Sequence, residues 1–322
     1  MAARILVTGT SGFVGGALGA RLRREGYDVT GVSRREARDG ACDVCLRHDL
    51  TTPLPTELGR FDAVVHCAAL ASPWAAPSAY EAANITALRN VLDFARASRS
   101  GRFVFLSSTS VHYRFGDSVG MSGDEPWSDP PINLYAASKR RGEAMVRDSG
   151  LRWTIVRPRA VFGPGDTVVF PRILEAARRG MLPRLRRADG VRPVADLLFI
   201  DNLTWFLQRV LELDTDGVFD ISDGRPREIE GMLDEVLGRL GLPPPTREVK
   251  VGTAMAMARV LEFVSAAFQN WAEPAVTRFG VSSLAYSRTV DVSRARALAG
   301  EPPVSQDDGM AAFVAWQKAQ AA

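Results

Sequence analysis

Cysteine, histidine and lysine are all scarce in this chain of 322 residues, with three of each. The cysteines at 42, 45 and 67 make no even disulfide framework and suit a reducing compartment. Cys42-x-x-Cys45 is followed by His48, but no fourth ligand follows at a spacing a metal site would need, so no metal is expected. Charge of one sign is also missing: 40 basic residues stand against 37 acidic ones, for a net +3, and the arginines are scattered among acids. Nucleic-acid binding, which needs a basic stripe, is therefore not expected. No apolar run reaches the ~20 residues that span a bilayer. Arg4-Ile5-Leu6-Val7 runs straight into a glycine motif and not into a cleavage site, so a signal peptide is not expected and the cytoplasm is.

What is present is ordinary globular composition, 46% hydrophobic and 24% charged. The length allows two domains, or one large domain with an appended lobe. Arg4–Val7 reads as a short buried strand, and Gly9-Thr10-Ser11-Gly12-Phe13-Val14-Gly15 follows it and opens a helical pattern. In a strand, glycine turn and helix of this kind, Gly9 permits the tight turn and Gly12 lets the backbone approach a pyrophosphate. Gly15 allows close packing of helix on strand. The helix N-terminus offers free N–H groups to the phosphates. The spacing is G-x-x-G-x-x-G, not the G-x-G-x-x-G of ordinary dinucleotide folds.

The second strand, Asp28–Val32, ends at Ser33-Arg34-Arg35, with no acid before Glu36. An acid there would hold a ribose 2′-hydroxyl, whereas arginine accommodates a 2′-phosphate, so NADP(H) is expected over NAD(H). Asp49, with Leu50 after it, is placed to meet the adenine edge. Asp62–Ala69 is another buried strand, whose small residues Ala68 and Ala69 let a cofactor lie close to backbone; His66 and Cys67 within it read as packing residues. Tyr80–Ser98 reads as a crossover helix with Asn84 near its start. Arg102–Leu106 is a strand ending in the hydroxyl cluster Ser107-Ser108-Thr109-Ser110, where the carboxyl end of a parallel strand lines a ligand crevice.

After a polar, Pro-rich loop (116–133) come Tyr135 and Lys139, four residues apart at the head of a helix and so on one face. A phenol has an unperturbed pKa of about 10, and a neighbouring ammonium favours its ionised form, which suits it to proton transfer. Where arginine so outnumbers lysine, a lysine at this spacing is pointed. The Pro and Gly density of Arg157–Asp166 marks a boundary, and a strand–helix segment near Leu198–Asn202 returns to the first domain. Val251–Phe268 is largely apolar; the expectation is a buried lobe helix, with a pocket wall, a lid or a membrane-surface helix as alternatives.

Thr8–Gly15, His66–Ala69, Ser107–Val111, Tyr135–Lys139 and Arg157–Asp166, in this order, resemble the extended short-chain dehydrogenase/reductase superfamily over the whole first domain. Pro73-Trp74, Ser110-Val111-His112, Arg157-Pro158-Arg159, Phe170-Pro171-Arg172 and Thr277-Arg278-Phe279 are similar to the branch of 3β-hydroxysteroid dehydrogenases, sterol-4α-carboxylate 3-dehydrogenases and 2-alkyl-3-oxoalkanoate reductases. Ala87-Leu88 departs from the family's usual Gly-Thr.

The resemblance implies an α/β fold, a Rossmann-like doubly wound parallel sheet with a smaller, mostly C-terminal α/β substrate lobe. The first domain would take 1–164 and a return segment near 197–224, and the lobe 165–196 and 225–322. It implies a catalytic set of Ser108 (with Ser107 or Thr109 as near alternatives), Tyr135 and Lys139. The cofactor would meet Gly9, Ser11, Gly12, Phe13, Val14 and Gly15; Ser33, Arg34 and Arg35; Asp49 and Leu50; Ala68, Ala69 and Asn84; and Lys139, Pro158 and Val161. The expected activity is an NADP(H)-dependent ketoreductase on an apolar substrate such as a steroid-like, β-keto acid or natural-product ketone, with a homodimer as the family expectation. The alternatives are a nucleotide-sugar epimerase or dehydratase with tightly bound NAD, and a non-catalytic NADP(H)-sensing module.

Overall fold

The computed structural model describes residues 2–123 and 126–321. Asp124 and Glu125, within the loop expected over 116–133, lie outside the described residues. Seven strands form one parallel sheet: β1 (Arg4–Thr8), β2 (Asp28–Ser33), β3 (Val44–Arg47), β4 (Ala63–His66), β5 (Arg102–Leu106), β6 (Arg152–Pro158) and β7 (Gly217–Ile221). Their order is β7-β6-β5-β4-β1-β2-β3, and every neighbouring pair is parallel. Strand order reverses between β1 and β4, where a doubly wound sheet opens its ligand crevice at the carboxyl ends.

Alternation along each strand divides the core in two. Ile5, Val7, Val65, Val104 and Val156 face one side, packing against Leu18 and Leu22 of α1 (Phe13–Arg24). Leu6, Val64, Phe103, Phe105 and Ile155 face the other, against Leu88, Val91 and Phe94 of α2 (Ala87–Ala97) and Val146 of α3 (Leu134–Arg147). On the first side, Leu203 and Phe206 of α4 (Ile200–Glu212) complete the layer. The crossover expected over Tyr80–Ser98 is interrupted by a π-helical stretch, Glu81–Thr86, before α2 begins.

A second sheet of four strands is made by Arg227–Glu228, Val194–Ala195, Arg288–Val290 and Ser118–Met121. The last strand corrects the expectation of a loop throughout 116–133: its partner, Arg288–Val290, lies far along the chain, and local sequence could not announce it. Cys42 and Cys45 form a disulfide with a Cα–Cα separation of 5.6 Å, which corrects the expectation of unpaired cysteines; Cys67 is free. The expected buried lobe helix is corrected too. In α5 (Val251–Phe268) only one edge, including Ala254, Ala258 and Ser265, is buried, while Val260, Phe263 and Phe268 are 60%, 66% and 77% exposed. It is the one helix among the described residues long and apolar enough to cross a membrane, with 28% of its length buried.

α3 is locked to the sheet by charge as well as by apolar packing. Asn133 caps its N-terminus, its side chain accepting from Ala136 N–H at 2.8 Å. Gly142 faces Phe105 so closely that a Cβ would stand 2.8 Å from the ring, which lets the helix lie near β5. The next residue, Glu143, is fully buried and accepts from Arg157 of β6 through both oxygens (2.7 and 2.6 Å) and from the Ser107 hydroxyl at 2.6 Å. Arg157 also meets His112 Nε2 at 3.0 Å and Asp220 at 3.4 Å. Removing one member of such a buried pair strands the other charge, at a cost of about 3–5 kcal/mol. Glu143→Ala is expected to destabilise by about that amount, and Glu143→Leu/Arg157→Leu by less than either single change. Denaturant unfolding checks both, and a double variant as damaged as the sum of the singles would refute the pairing.

Candidate active site

The carboxyl ends of β1, β2, β4, β5 and β6 supply the site. After β1 the chain turns at Gly9, whose φ of 79° favours glycine. A Cβ there would stand 2.9 Å from Ala68 N, and one on Gly15 would collide with the Gly9 carbonyl. Turn, helix and the end of β4 are thus drawn together, and Thr8 Oγ1 fastens them by accepting from Ala68 N–H at 3.1 Å and meeting His66 Nδ1 at 3.0 Å. Gly12 is the N-cap of α1 and provides no side-chain cap, so among the described residues the amides of Phe13 and Val14 have no capping side chain. Ser11 and Val14 are half-buried, and Phe13 is buried. A cradle that excludes a Cβ, with uncapped amides at its rim, fits a dinucleotide's pyrophosphate.

Ser33 is buried at the end of β2, within 3.4 Å of Thr10 Oγ1, and donates to the Arg35 carbonyl at 2.8 Å. Arg34 and Arg35 are exposed beyond it. A third arginine, which the sequence did not single out, returns to the turn. Arg38 N–H donates to the Thr10 carbonyl at 3.1 Å, and its guanidinium lies 5.9 Å from the Phe13 ring and donates to the Gly165 carbonyl at 3.1 Å. Burial lowers its pKa. Its only sequence signal was another arginine three residues beyond the pair.

Asp49 is exposed and turns one oxygen to Thr51, accepting at 3.0 Å from both its amide and its hydroxyl; Leu50 is buried in the core. Ala68 is half-buried and Ala69 exposed at the end of β4. Asn84 is a brace within the protein: its oxygen accepts from Leu70 N–H at 2.7 Å and its amide donates to Ser138 Oγ at 2.8 Å. Pro158 is buried, and Val161 begins a short strand that pairs with Leu198.

Tyr135 and Lys139 stand one turn apart on α3. Of the three hydroxyls considered for the catalytic set, Ser107 is committed to Glu143, and Thr109 pairs with the Tyr113 hydroxyl at 2.8 Å. Ser108 faces the Tyr135 phenol closely enough to lower its pKa by hydrogen bonding, while also accepting from Ser110 N–H at 3.2 Å. Burial outweighs that effect and pushes the phenol up to about 12. The expected depression by Lys139 is not what this arrangement gives: the ammonium donates to the Leu106 carbonyl at 2.7 Å, with Nζ 5.9 Å from the Tyr135 ring. Burial presses Lys139 down to about 8, against smaller upward contributions from Cys67 and Glu143. His66 and Cys67 behave as packing groups, burial holding the imidazole down at about 3 and the thiol up at about 12, so both are neutral near pH 7. Among the described residues no three metal-binding side chains cluster.

A parallel sheet with its glycine turn at the switch of strand order, facing a tyrosine, a lysine and a serine, defines a class: Rossmann-fold enzymes that work on a hydroxyl or carbonyl carbon with a nicotinamide cofactor. The chain belongs to the NAD dependent epimerase/dehydratase family, whose model matches residues 5–221. It is an NAD(P)-dependent enzyme of the extended short-chain dehydrogenase/reductase type. A 2-alkyl-3-oxoalkanoate reductase from Shewanella oneidensis is 30% identical, the match covering 96% of this chain and 82% of the relative. One from Stenotrophomonas maltophilia is also 30% identical, over 95% and 97%. Among solved structures, MoeE5 in complex with UDP-glucose and NAD superposes with a TM-score of 0.74 at 23% identity, covering 99% of this chain and all (100%) of that one. Bordetella bronchiseptica WbmH in complex with NAD+ gives 0.75 at 20%, over 99% of each. At those identities the likeness is one of fold.

The depressed lysine gives a sign. Below about pH 8 Lys139 carries its charge; above it the ammonium is lost. Catalytic efficiency in reduction is expected to fall with a single ionisation near that pH. A falling limb near 10.5, the ordinary lysine value, would show that burial does not destabilise the ammonium.

Proposed function

We propose that this protein is an NADP(H)-dependent ketoreductase that interconverts an apolar ketone and its secondary alcohol. The observation that carries the reading is the convergence of Ser108, Tyr135 and Lys139 at the carboxyl edge of the sheet, beside the glycine turn. The relatives support a ketone substrate: two are named as 2-alkyl-3-oxoalkanoate reductases, and a third, from Stigmatella aurantiaca, as a ketoreductase of a farnesylated quinoline oxide (26% identical, covering 91% of this chain).

The bound nicotinamide would supply the hydride and, in the reverse direction, accept it. The residues that fit it are Gly9, Gly12 and Gly15 for the pyrophosphate, Arg34 with Arg35 for a 2′-phosphate, and Lys139 for the nicotinamide ribose. Ser108 holds the carbonyl oxygen and stabilises the negative charge that develops on it. Tyr135 donates its phenolic proton to that oxygen; a phenol held near 12 is fully protonated at neutral pH, the state an acid needs. Lys139, a cation at neutral pH with its ammonium 5.9 Å from the Tyr135 ring, orients the ribose and leaves the phenol protonated. This favours reduction, the direction NADPH also serves.

Tyr135→Phe is expected to lower turnover at least about 100-fold while NADPH still binds, because only the proton donor is removed. Titration with NADPH and NADH, followed by fluorescence, tests the cofactor. NADPH should bind more tightly, and Arg34→Ala should cost about tenfold for NADPH alone, as expected for one charge-assisted contact. Equal or tighter binding of NADH would overturn the arginine argument. Turnover of a nucleotide sugar without added cofactor would overturn the ketoreductase reading.

A further inference from the structure

Arg159 is left without a task by the chemistry above. It directly follows β6, its N–H donating to the Ile221 carbonyl of β7 at 2.9 Å, and the next residue, Ala160, takes a positive φ of 30°. The Pro158 carbonyl just before it accepts from the Thr109 hydroxyl at 3.4 Å, so Arg159 adjoins the turn that carries Ser108. The residue is 8% exposed. Its guanidinium lies 5.6 Å from the Tyr113 ring centroid, yet among the described residues it donates no hydrogen bond and forms no ion pair, and Nε is buried without a partner.

Its neighbours are differently placed. Arg157 is held by Glu143, and the terminal nitrogens of Arg288, which shares the Tyr113 ring, go to the carbonyls of Arg114, Gly116 and Ser287 and to Ser282. Asp196 is the acid that feels Arg159 electrostatically. It stands outside pairing distance and commits Oδ2 to Val290 N–H at 2.8 Å. A buried arginine with open donors is costly until an anion takes them, and a planar carboxylate matches its fork. Tyr113 connects this guanidinium to the reaction centre, because it is also near enough to Tyr135 to raise the pKa of that phenol.

We propose that Arg159 is the receptor for a carboxylate on the substrate, so that the carbonyl delivered to Ser108 and Tyr135 belongs to an oxo acid. The proposal rests on the ketoreductase reading for its reaction and on Arg159 alone for its specificity.

The test runs in the stable direction: a 2-alkyl-3-hydroxy acid and its methyl ester are oxidised with NADP+, each giving the ketone, NADPH and a proton. The wild type should prefer the acid in kcat/KM by about 10- to 100-fold, mostly through KM, as expected for a charged hydrogen-bonded contact. In Arg159→Gln that preference should fall towards one, and Arg159→Lys should keep part of it. Independently, the protein with NADP+ bound should bind a long-chain fatty carboxylate at least about tenfold more tightly than the matching amide, and Arg159→Gln should abolish the difference.

Equal use of acid and ester by the wild type overturns the receptor and leaves the ketoreductase standing. Turnover of neither compound, with carboxylate binding still lost in Arg159→Gln, removes the ketoreductase reading and supports the receptor. A loss of thermal stability in Arg159→Gln with the acid preference intact would make Arg159 the counter-ion of Asp196 and overturn the proposal, as would Arg159-dependent binding of UDP with none of the carboxylate.

Discussion

The fully buried contact between Glu143 and Arg157 holds the working parts of this protein in register. α3 carries Tyr135, Lys139 and Glu143 at successive four-residue steps, so fixing the third member fixes the azimuth of the first two. Glu143 takes both forks of the Arg157 guanidinium and the Ser107 hydroxyl. One carboxylate thereby ties the helix to β6 and to the end of β5, the strand that leads to Ser108. A misplaced proton donor costs rate steeply, since reacting groups must meet at near-contact distances. Apolar packing alone would let a helix slide or rotate; a buried bidentate pair tolerates neither.

Burial sets the chemistry within that frame. It raises the Tyr135 phenol and lowers the Lys139 ammonium, each away from its charged form. Desolvation here overrides the mutual influence that four-residue spacing suggests, because the ammonium points to the Leu106 carbonyl and lies nearly 6 Å (5.9 Å) from the phenol ring. The protonated phenol is the form reduction needs, and the same desolvation strengthens every charge interaction made in the crevice. Arg159 belongs to this logic, as a nearly buried arginine beside the Tyr113 ring whose Nε has no partner among the described residues.

The sequence announced the sheet through its strands and glycine turn because those signals are local: a run of apolar residues, a turn that excludes side chains, a helix start. Tyr135 and Lys139 were legible for the same reason, being neighbours on one helical face. Arg38 was not, because its return to Thr10 and Gly165 depends on how the chain folds back after β2. Asn84 was read as a cofactor contact; its hydrogen bonds to Leu70 and to Ser138 on another element were not legible in the sequence. The strand Ser118–Met121 needed a partner some 170 residues away (Arg288↔Ser118).

By itself, then, the sequence determined the parallel sheet, the glycine turn after its first strand and the tyrosine–lysine pair, since each is set by residues within a few positions of one another. Tertiary structure alone decided which of three adjacent hydroxyls faces the phenol, which way the lysine points, and which arginines are satisfied. Those outcomes turn on burial and on the competition of distant groups for the same donors, and neither is written in the spacing of residues along the chain.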